Sequence, residues 1–299
     1  MIYVINAPLR EVPPETFEGL DAVIMDPPYS GHVHKSATSA GNFERDGRVN
    51  NRDLGFASLD AADREAALRL ARKYAKRWTV IFSDFAKGAD ETSDDPEASA
   101  QAGHFVLEGD CAWRVLGVHF GLDWIRMIPW VRWSQPQVTG DRPPSGAEAV
   151  LHFHAPGRKS WNGPGGLTHY AHKSLRGDDK HPTEKPLDLM LDLVSFYSNP
   201  GELVGDFFAG RGTTGQACRI LGRDAILVER DATFAAQAEA RVNGPLDARD
   251  RAKVESWIVA TVEGAERELA EKSTTPNARR KCEARLNDAA TAAAFLGAT

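Results

Sequence analysis

Apolar residues fall in short blocks along the 299-residue chain, and their spacing separates strands from helices. Residues 2–5, 22–25 and 78–84 are brief apolar runs bounded by polar or turn residues, the pattern of buried strands. Residues 30–56 are polar and aperiodic, which predicts a long loop. A helix is expected over 60–77, with Ser58 or Asp60 as N-cap and Ala67, Leu68, Ala71 and Ala75 on one face. An acidic loop (88–103) and a helical stretch (111–116) follow. Two strands (124–133, 149–155) are then joined by a Pro/Gly-rich turn around 140–146, and 158–179 is irregular. Beyond this the pattern sharpens. Leu187, Met190, Leu191 and Val194 keep the i, i+3, i+4, i+7 spacing of a helix. A strand at 203–208, a glycine-rich turn, a helix at 214–221 closed by Gly222 and a strand at 225–229 come next. From Thr233 the chain reads as Ala- and Glu-rich helix with a break near 274–277. Alternating strands and helices predict an α/β fold, its mostly parallel sheet covered by helices on both faces. The organisation expected is one domain over 1–241 and a helical extension over 242–299.

Composition narrows the function classes. Acidic residues (42) outnumber Lys and Arg (36), for a net charge of −6, so a uniformly basic nucleic-acid coat is excluded. Any grip on DNA must come from local basic patches. No apolar run approaches the ~18 residues of a membrane span, and the N-terminus lacks the pattern of a secretory signal. Cys111, Cys218 and Cys282 are scattered, forming neither a disulfide framework nor a zinc pattern. A reducing cytoplasm is the expected setting.

Two stretches carry candidate chemistry. In "DFFAGRGTTG", Gly210, Gly212 and Gly215 follow a strand and open a helix. Glycines there let the backbone approach a ligand, and the helix start offers N–H groups to an anion. Glu229 ends the next strand, where an acid can bond ribose hydroxyls. A dinucleotide fold needs a second βαβ half, and the chain after Glu229 reads as helix. A Walker-type lysine is absent, which argues against ATP. Asp206 suits a cofactor with an amine. S-adenosylmethionine combines an adenosine, a carboxylate and an ammonium. The structural alternative is a tight strand-to-helix turn.

The second stretch, "DPPY", ends an apolar run. Pro27 and Pro28 make the turn rigid. It presents the Asp26 carboxylate and the Pro27 carbonyl as acceptors and the Tyr29 ring for stacking. Such a set suits the exocyclic amino group of a nucleobase, whose lone pair is delocalised into the ring. Two acceptors holding its hydrogens can aim that lone pair at an electrophilic methyl, provided the base leaves the helix stack. The structural alternative is a strand-terminating turn.

"DPPY" (26–29), "HPTEKP" (181–186) and "DFFAGRGTTG" (206–215), in this order, resemble the β group of DNA amino-methyltransferases, and the resemblance runs from about Tyr3 to Arg241. It implies a Rossmann-like S-adenosylmethionine methyltransferase fold with permuted motif order and a small target-recognition insert at about 134–180. Asp26, Pro27, Pro28 and Tyr29 would be catalytic. Asp206, Phe207, Ala209, Gly210, Gly212, Thr213 and Thr214 would hold the methionine part of the cofactor, and Glu229 its ribose. His181, Thr183 and Lys185 would lie on the methionine side, with Lys185 a partner for its carboxylate. "HPTEKP" also reads as a helix start with Thr183 as N-cap. The first strand ends in Asn6-Ala7 where the family commonly has Gly-Asp, and Asn6 is assigned to the adenine.

The implied substrate is duplex DNA, with adenine N6 preferred over cytosine N4 because the turn begins with Asp. A homodimer and a cognate restriction endonuclease are the further partners expected. A non-catalytic DNA-binding or assembly subunit is the rival of another class. Phosphate contacts are expected from Lys35, Arg45, Arg48 and Arg52 and from Arg158, Lys159, Lys173 and Arg176, two stretches expected to flank the pocket. Base reading is expected at 134–142 and 161–170. Arg279, Arg280, Lys281 and Arg285 read as a solvated helix face. His32 and His34, and likewise His152 and His154, share a face if extended, but no cysteine or paired-carboxylate cluster completes a set of ligands, so no metal site is expected.

Overall fold

A computed structural model describes residues 1–28, 59–83, 109–132, 146–173, 184–272 and 275–298. Among them, eight strands form one sheet. They are β1 (Ile2–Asn6), β2 (Ala22–Met25), β3 (Trp78–Ser83), β4 (Asp123–Val131), β5 (Ala147–His154), β6 (Tyr170–Ala171), β7 (Leu203–Asp206) and β8 (Asp224–Glu229). Their spatial order is β1-β8-β7-β2-β3-β5-β4-β6. Only β5 runs antiparallel to its neighbours β3 and β4; every other pairing is parallel. The expected mostly parallel α/β sheet is thus the observed one.

β2 and β7 lie side by side, with Ala22 opposite Val204 and Val23 opposite Gly205. From β7 the chain passes through helix α4 (Thr213–Ile220) to β8 on one side. From β2 it passes through helix α1 (Ala61–Tyr74) to β3 on the other. The strand order therefore reverses between β2 and β7, which opens a crevice at their carboxyl ends.

The four residues of β2 are all fully buried because helices cover both faces. Ala22 and Ile24 pack with helix α3 (Leu187–Tyr197) and α4; Val23 and Met25 pack with Phe17, Leu20 and α1 on the opposite face. On that second face lies α2 (Gly109–His119), through Trp113. Asp60 caps α1, accepting the Asp63 N–H at 2.6 Å.

α3 begins at Leu187, with Pro186 at its N-cap position, later than a start at Thr183 would give. A residue preceding proline is held out of the helical region, so Lys185 stays extended. The helix expected from Thr233 is interrupted a second time. It ends as α5 (Ala232–Asn243) before Gly244 and Pro245, and resumes as α6 (Ala248–Lys272), where Asp247 accepts the Asp250 N–H at 2.7 Å. α7 (Pro276–Ala298) runs back along α6, with Arg251 reaching the Leu296 carbonyl and Arg285 reaching Glu268.

This helical pair shares the core of the sheet, since Val254, Trp257, Ala292 and Leu296 join one cluster with Ala22, Val204 and Leu227. Of the basic residues of α7, Arg279 and Arg280 are exposed as expected, while the others are drawn into the fold. Arg280 donates to the Trp161 carbonyl and to Asn162, Lys281 lies 4.3 Å from the Trp161 ring centroid, and Arg285 is buried on Glu268.

Candidate active site

Asp26 follows β2 and Asp206 ends β7, so the two adjacent strands deliver two carboxylates to the same sheet edge, at the reversal of strand order. Both line a cavity of about 600 Å³, within the range of small-molecule sites. Pro27 and Pro28 form part of its wall.

The glycine turn is built by backbone bonds: Ala209 N–H to the Val228 carbonyl at 2.9 Å, and Gly212 N–H to the Ala209 carbonyl at 2.8 Å. Gly210 and Gly212 both have positive φ, +50° and +76°, which is why glycine occupies them. The Gly210 N–H donates to Glu229 Oε2 at 2.8 Å, and Glu229 Oε1 accepts the Asp231 N–H at 2.8 Å. Each carboxylate oxygen keeps a second lone pair, so the same side chain can fix the turn and still accept from a ligand. Asp206 Oδ2 accepts the Thr214 hydroxyl at 2.5 Å, and its Oδ1 accepts the Phe208 N–H at 3.0 Å. Burial pushes Asp206 up to about 7 against the pull of those bonds, and the charges of Asp26 and Glu229 add to the rise.

Lys185 is placed differently from expectation. Its Nζ lies 2.8 Å from Asp26 Oδ1 and 3.2 Å from Glu148 Oε2, and the residue is 4% exposed. Burial raises Asp26 to about 6; Lys185 holds it down and Glu148 pushes it up. The neighbouring Glu184 bonds Arg211 of the glycine turn at 3.3 Å and Arg241 of α5 at 2.7 Å, so this segment is tied to both carboxylate-bearing strands' loops.

Of the residues expected at the cofactor, Lys185, Asp206, Phe207, Ala209, Gly210, Thr213, Thr214 and Glu229 line the cavity. Asn6 and Gly212 are not among the lining residues. The Asn6 amide donates to the carbonyls of Glu229 and Arg230, at 2.9 and 3.2 Å. Gly212 packs on α5, where a Cβ would stand 2.9 Å from Ala238 Cβ. Tyr29, His181 and Thr183 lie outside the described residues, as do Lys35, Arg45, Arg48, Arg52, Arg176 and the stretch 134–142.

Two of the residues expected to contact phosphate lie at the sheet edge away from the cavity. Because β5 runs antiparallel, its last residue, His154, faces Trp78 at the start of β3. Arg158 and Lys159 therefore follow at the amino edge, opposite the cavity, where Lys159 pairs with Asp123 at 2.8 Å. Lys173 is exposed just beyond β6, which pairs with the carboxyl end of β4. Trp161, expected among base-reading residues, is held by Arg280 and Lys281. His152 is a core residue: burial pushes it down to about 3, and its Nε2 meets the Tyr170 hydroxyl at 3.1 Å. Glu148 and Arg132 were not singled out by sequence; the one available signal was a lone Glu in the apolar run 147–153.

Residues 124–240 match the N6/N4 methyltransferase family model, described as DNA methylase. A 70-residue segment, 23% of the chain, is 37% identical to the type II methyltransferase M.HinfI of Haemophilus influenzae. A 55-residue segment, 18% of the chain, is 40% identical to the type II methyltransferase M2.MboI of Moraxella bovis. Each match spans 20% of the relative's length. The fold is similar to that of M1.HpyAVI solved with SAM, with TM-score 0.55 and 22% identity over 82% of this chain and 100% of that one. It is also similar to the cytosine-N4-specific PvuII DNA methyltransferase, with TM-score 0.51 and 14% identity over 86% and 90%. The family-model match covers two of the three motifs, 181–186 and 206–215, and the solved structures share the fold.

Proposed function

We propose that this chain is a DNA methyltransferase that moves a methyl group from S-adenosylmethionine to the N6 amino group of adenine. The observation that carries the reading is the meeting of Asp26 and Asp206 in one cavity, although the two stand 180 positions apart in the sequence. The chemistry of the lining fits the cofactor. Glu229 suits ribose hydroxyls and Asp206 an ammonium group. The first N–H groups of α4, with Thr213 and Thr214, suit a carboxylate. Gly210 leaves open space at the position of a Cβ. When bound, the cofactor supplies a methyl on a sulfonium, an electrophile with a good leaving group.

The protein's part is to hold the amino nitrogen in line. Asp26, ionised above about pH 6, accepts one amino hydrogen, and the Pro27 carbonyl accepts the other. The nitrogen lone pair is then freed from the ring and pointed at the methyl. The base must be turned out of the duplex to reach this turn, and Tyr29 would stack on it. The leading Asp of the turn favours adenine over cytosine. Lys173, at the carboxyl edge, remains a phosphate contact under this reading.

Incubating the protein with methyl-labelled cofactor and duplex DNA, then hydrolysing to nucleosides, tests the reading. Label in N6-methyladenine supports it, and label in N4-methylcytosine moves the activity to the other amino base. No transfer, with no cofactor binding by calorimetry, would replace it with a non-catalytic DNA-binding subunit. Asp26→Ala is expected to abolish transfer while the cofactor still binds.

A further inference from the structure

Asp26 is the first member of a line of alternating charges. Lys185 Nζ stands 2.8 Å from Asp26 Oδ1 and 3.2 Å from Glu148 Oε2. Glu148 Oε1 stands 3.2 Å from a terminal nitrogen of Arg132. The line crosses three segments: the turn after β2, the stretch before α3, and the edge where β5 begins and β4 ends. Lys185 is 4% exposed and Glu148 7%. The ammonium also lies over two rings, 4.9 Å from the centroid of Phe82 and 5.8 Å from that of Trp130, a second attraction for a desolvated cation. Lys185 borders the cavity, but to reach a ligand's carboxylate its ammonium would have to leave two carboxylates and two rings.

We propose that Lys185 is the positioning residue of the catalytic turn, fixing one oxygen of Asp26 so that the other is aimed at the substrate amino group, with Glu148 drawing Lys185 back. This rests on the methyl-transfer reading of the cavity. A carboxylate alone on a turn can rotate about its side-chain bonds, and a fixed acceptor has less to reorganise as the reaction proceeds. The groups bearing on the Asp26 charge are Lys185, Glu148 on β5 and Asp206 at the end of β7. Lys185 favours the ionised form and Glu148 opposes it. Their removal therefore has opposite signs on Asp26, and a loss of kcat at unchanged cofactor affinity is the readout that a merely structural role would not produce.

The experiment is a carboxyl-carbon NMR titration of Asp26 in the full chain and in Lys185→Met and Glu148→Gln, with no DNA or cofactor needed. The Asp26 midpoint is expected to rise by about one pH unit or more in Lys185→Met and to fall in Glu148→Gln. Shifts of the same sign, or none, overturn the proposal. If Lys185→Met fails to fold, the sign in Glu148→Gln decides alone. Under methyl-transfer assay, Lys185→Met should lower kcat by about 10²-fold, move the acid limb of its pH profile upward, and leave the affinity for S-adenosylmethionine within about twofold. A tenfold or greater loss of that affinity would instead make Lys185 the cofactor's carboxylate partner. A wild-type protein that transfers no methyl group to DNA sinks the methyl-transfer reading, while the titrations still report on the Asp26–Lys185 pair.

Discussion

Gly210 and Gly212 share the left-handed conformation but face opposite surroundings. A Cβ on Gly210 would meet nothing within 4 Å, whereas one on Gly212 would stand 2.9 Å from Ala238 Cβ and 3.0 Å from Ala238 Cα. The first glycine borders the cavity and the second seats the turn against α5.

Their alanine variants should separate binding from stability. Gly212→Ala combines a left-handed residue with overlap against backbone, for a cost of about 2–4 kcal/mol. Gly210→Ala carries only the conformational cost of about 1–2 kcal/mol but places a methyl group at the cavity wall. Urea denaturation and calorimetric titration of the two variants measure both effects. Gly212→Ala should lose more stability, and Gly210→Ala should lose more cofactor affinity for each unit of stability lost. The reverse ranking would contradict the assignment of Gly210 to the cofactor.

Under the proposed reading, Asp206 should give the cofactor affinity a pH dependence. Burial raises it to about 7 in the free protein. A ligand ammonium favours the ionised form, so affinity is full above about pH 7. Below that it weakens as a proton must first be displaced, by up to about tenfold per pH unit. Thr214→Val removes the hydroxyl that lowers Asp206, so the same loss should begin at higher pH. Calorimetry with S-adenosylmethionine at pH 6, 7 and 8 checks this, and an affinity that rises as pH falls would remove Asp206 from the ammonium site.

The elements that frame the site were legible because their signals are local. β2 and the glycine turn announce themselves as an apolar run ending in a rigid turn and as a strand-turn-helix glycine pattern. What was not legible depends on direction and distance. Arg158 and Lys159 were expected beside the cavity, but the antiparallel sense of β5 sends them to the other edge, and no property of residues 149–155 states which way that strand runs. Arg280 and Lys281 read as a solvated cluster because their partner, Trp161, lies more than a hundred residues earlier. Lys185 was placed by its motif near the cofactor; only folding sets it on Asp26 and Glu148. The break at Gly244-Pro245 was readable, since proline lacks the donor a continuing helix needs.

His172 should make stability depend on alkaline pH. Its Nδ1 lies 3.1 Å from Asp188 and its Nε2 2.8 Å from Asp192; the first carboxylate also meets Lys253 and the second accepts from Trp257. Burial pushes His172 down, but the bonds and charges of the two carboxylates outweigh it and bring it up to about 9. A folded value above the unfolded one means that the stabilisation is full below about pH 6.5 and is lost as pH rises through about 9. Its size is on the order of 3 kcal/mol. The stability difference between wild type and His172→Gln, from urea unfolding, should therefore shrink between pH 6 and pH 9.5. A difference that holds or grows over that range would show that the imidazole is neutral in the folded protein.

The C-terminal helices should unfold with the sheet, because a buried ion pair joins them. Arg223, in the turn before β8, bonds both oxygens of Asp288 on α7 at 2.5 and 3.0 Å, and both side chains are at most 1% exposed. Ser195 of α3 donates to the same carboxylate at 2.7 Å, and Arg223 also reaches Ser198 and the Leu221 carbonyl. Such a pair contributes little net stability over an apolar replacement of both partners, but removing one partner strands the other in a dry site, at about 3–5 kcal/mol. Burial already pushes Asp288 up against the pull of Arg223, so without the arginine the carboxyl would take up a proton rather than stay charged. Arg223→Met should therefore lower the urea midpoint strongly at pH 8 and less at pH 5, where that protonation costs less. In the wild type, circular dichroism of the helices and the intrinsic tryptophan fluorescence, to which the buried Trp78 and Trp130 of the sheet contribute, should report one coincident transition. Separate transitions would mean that α6 and α7 form a unit of their own, joined to the sheet by a contact that does not couple their folding.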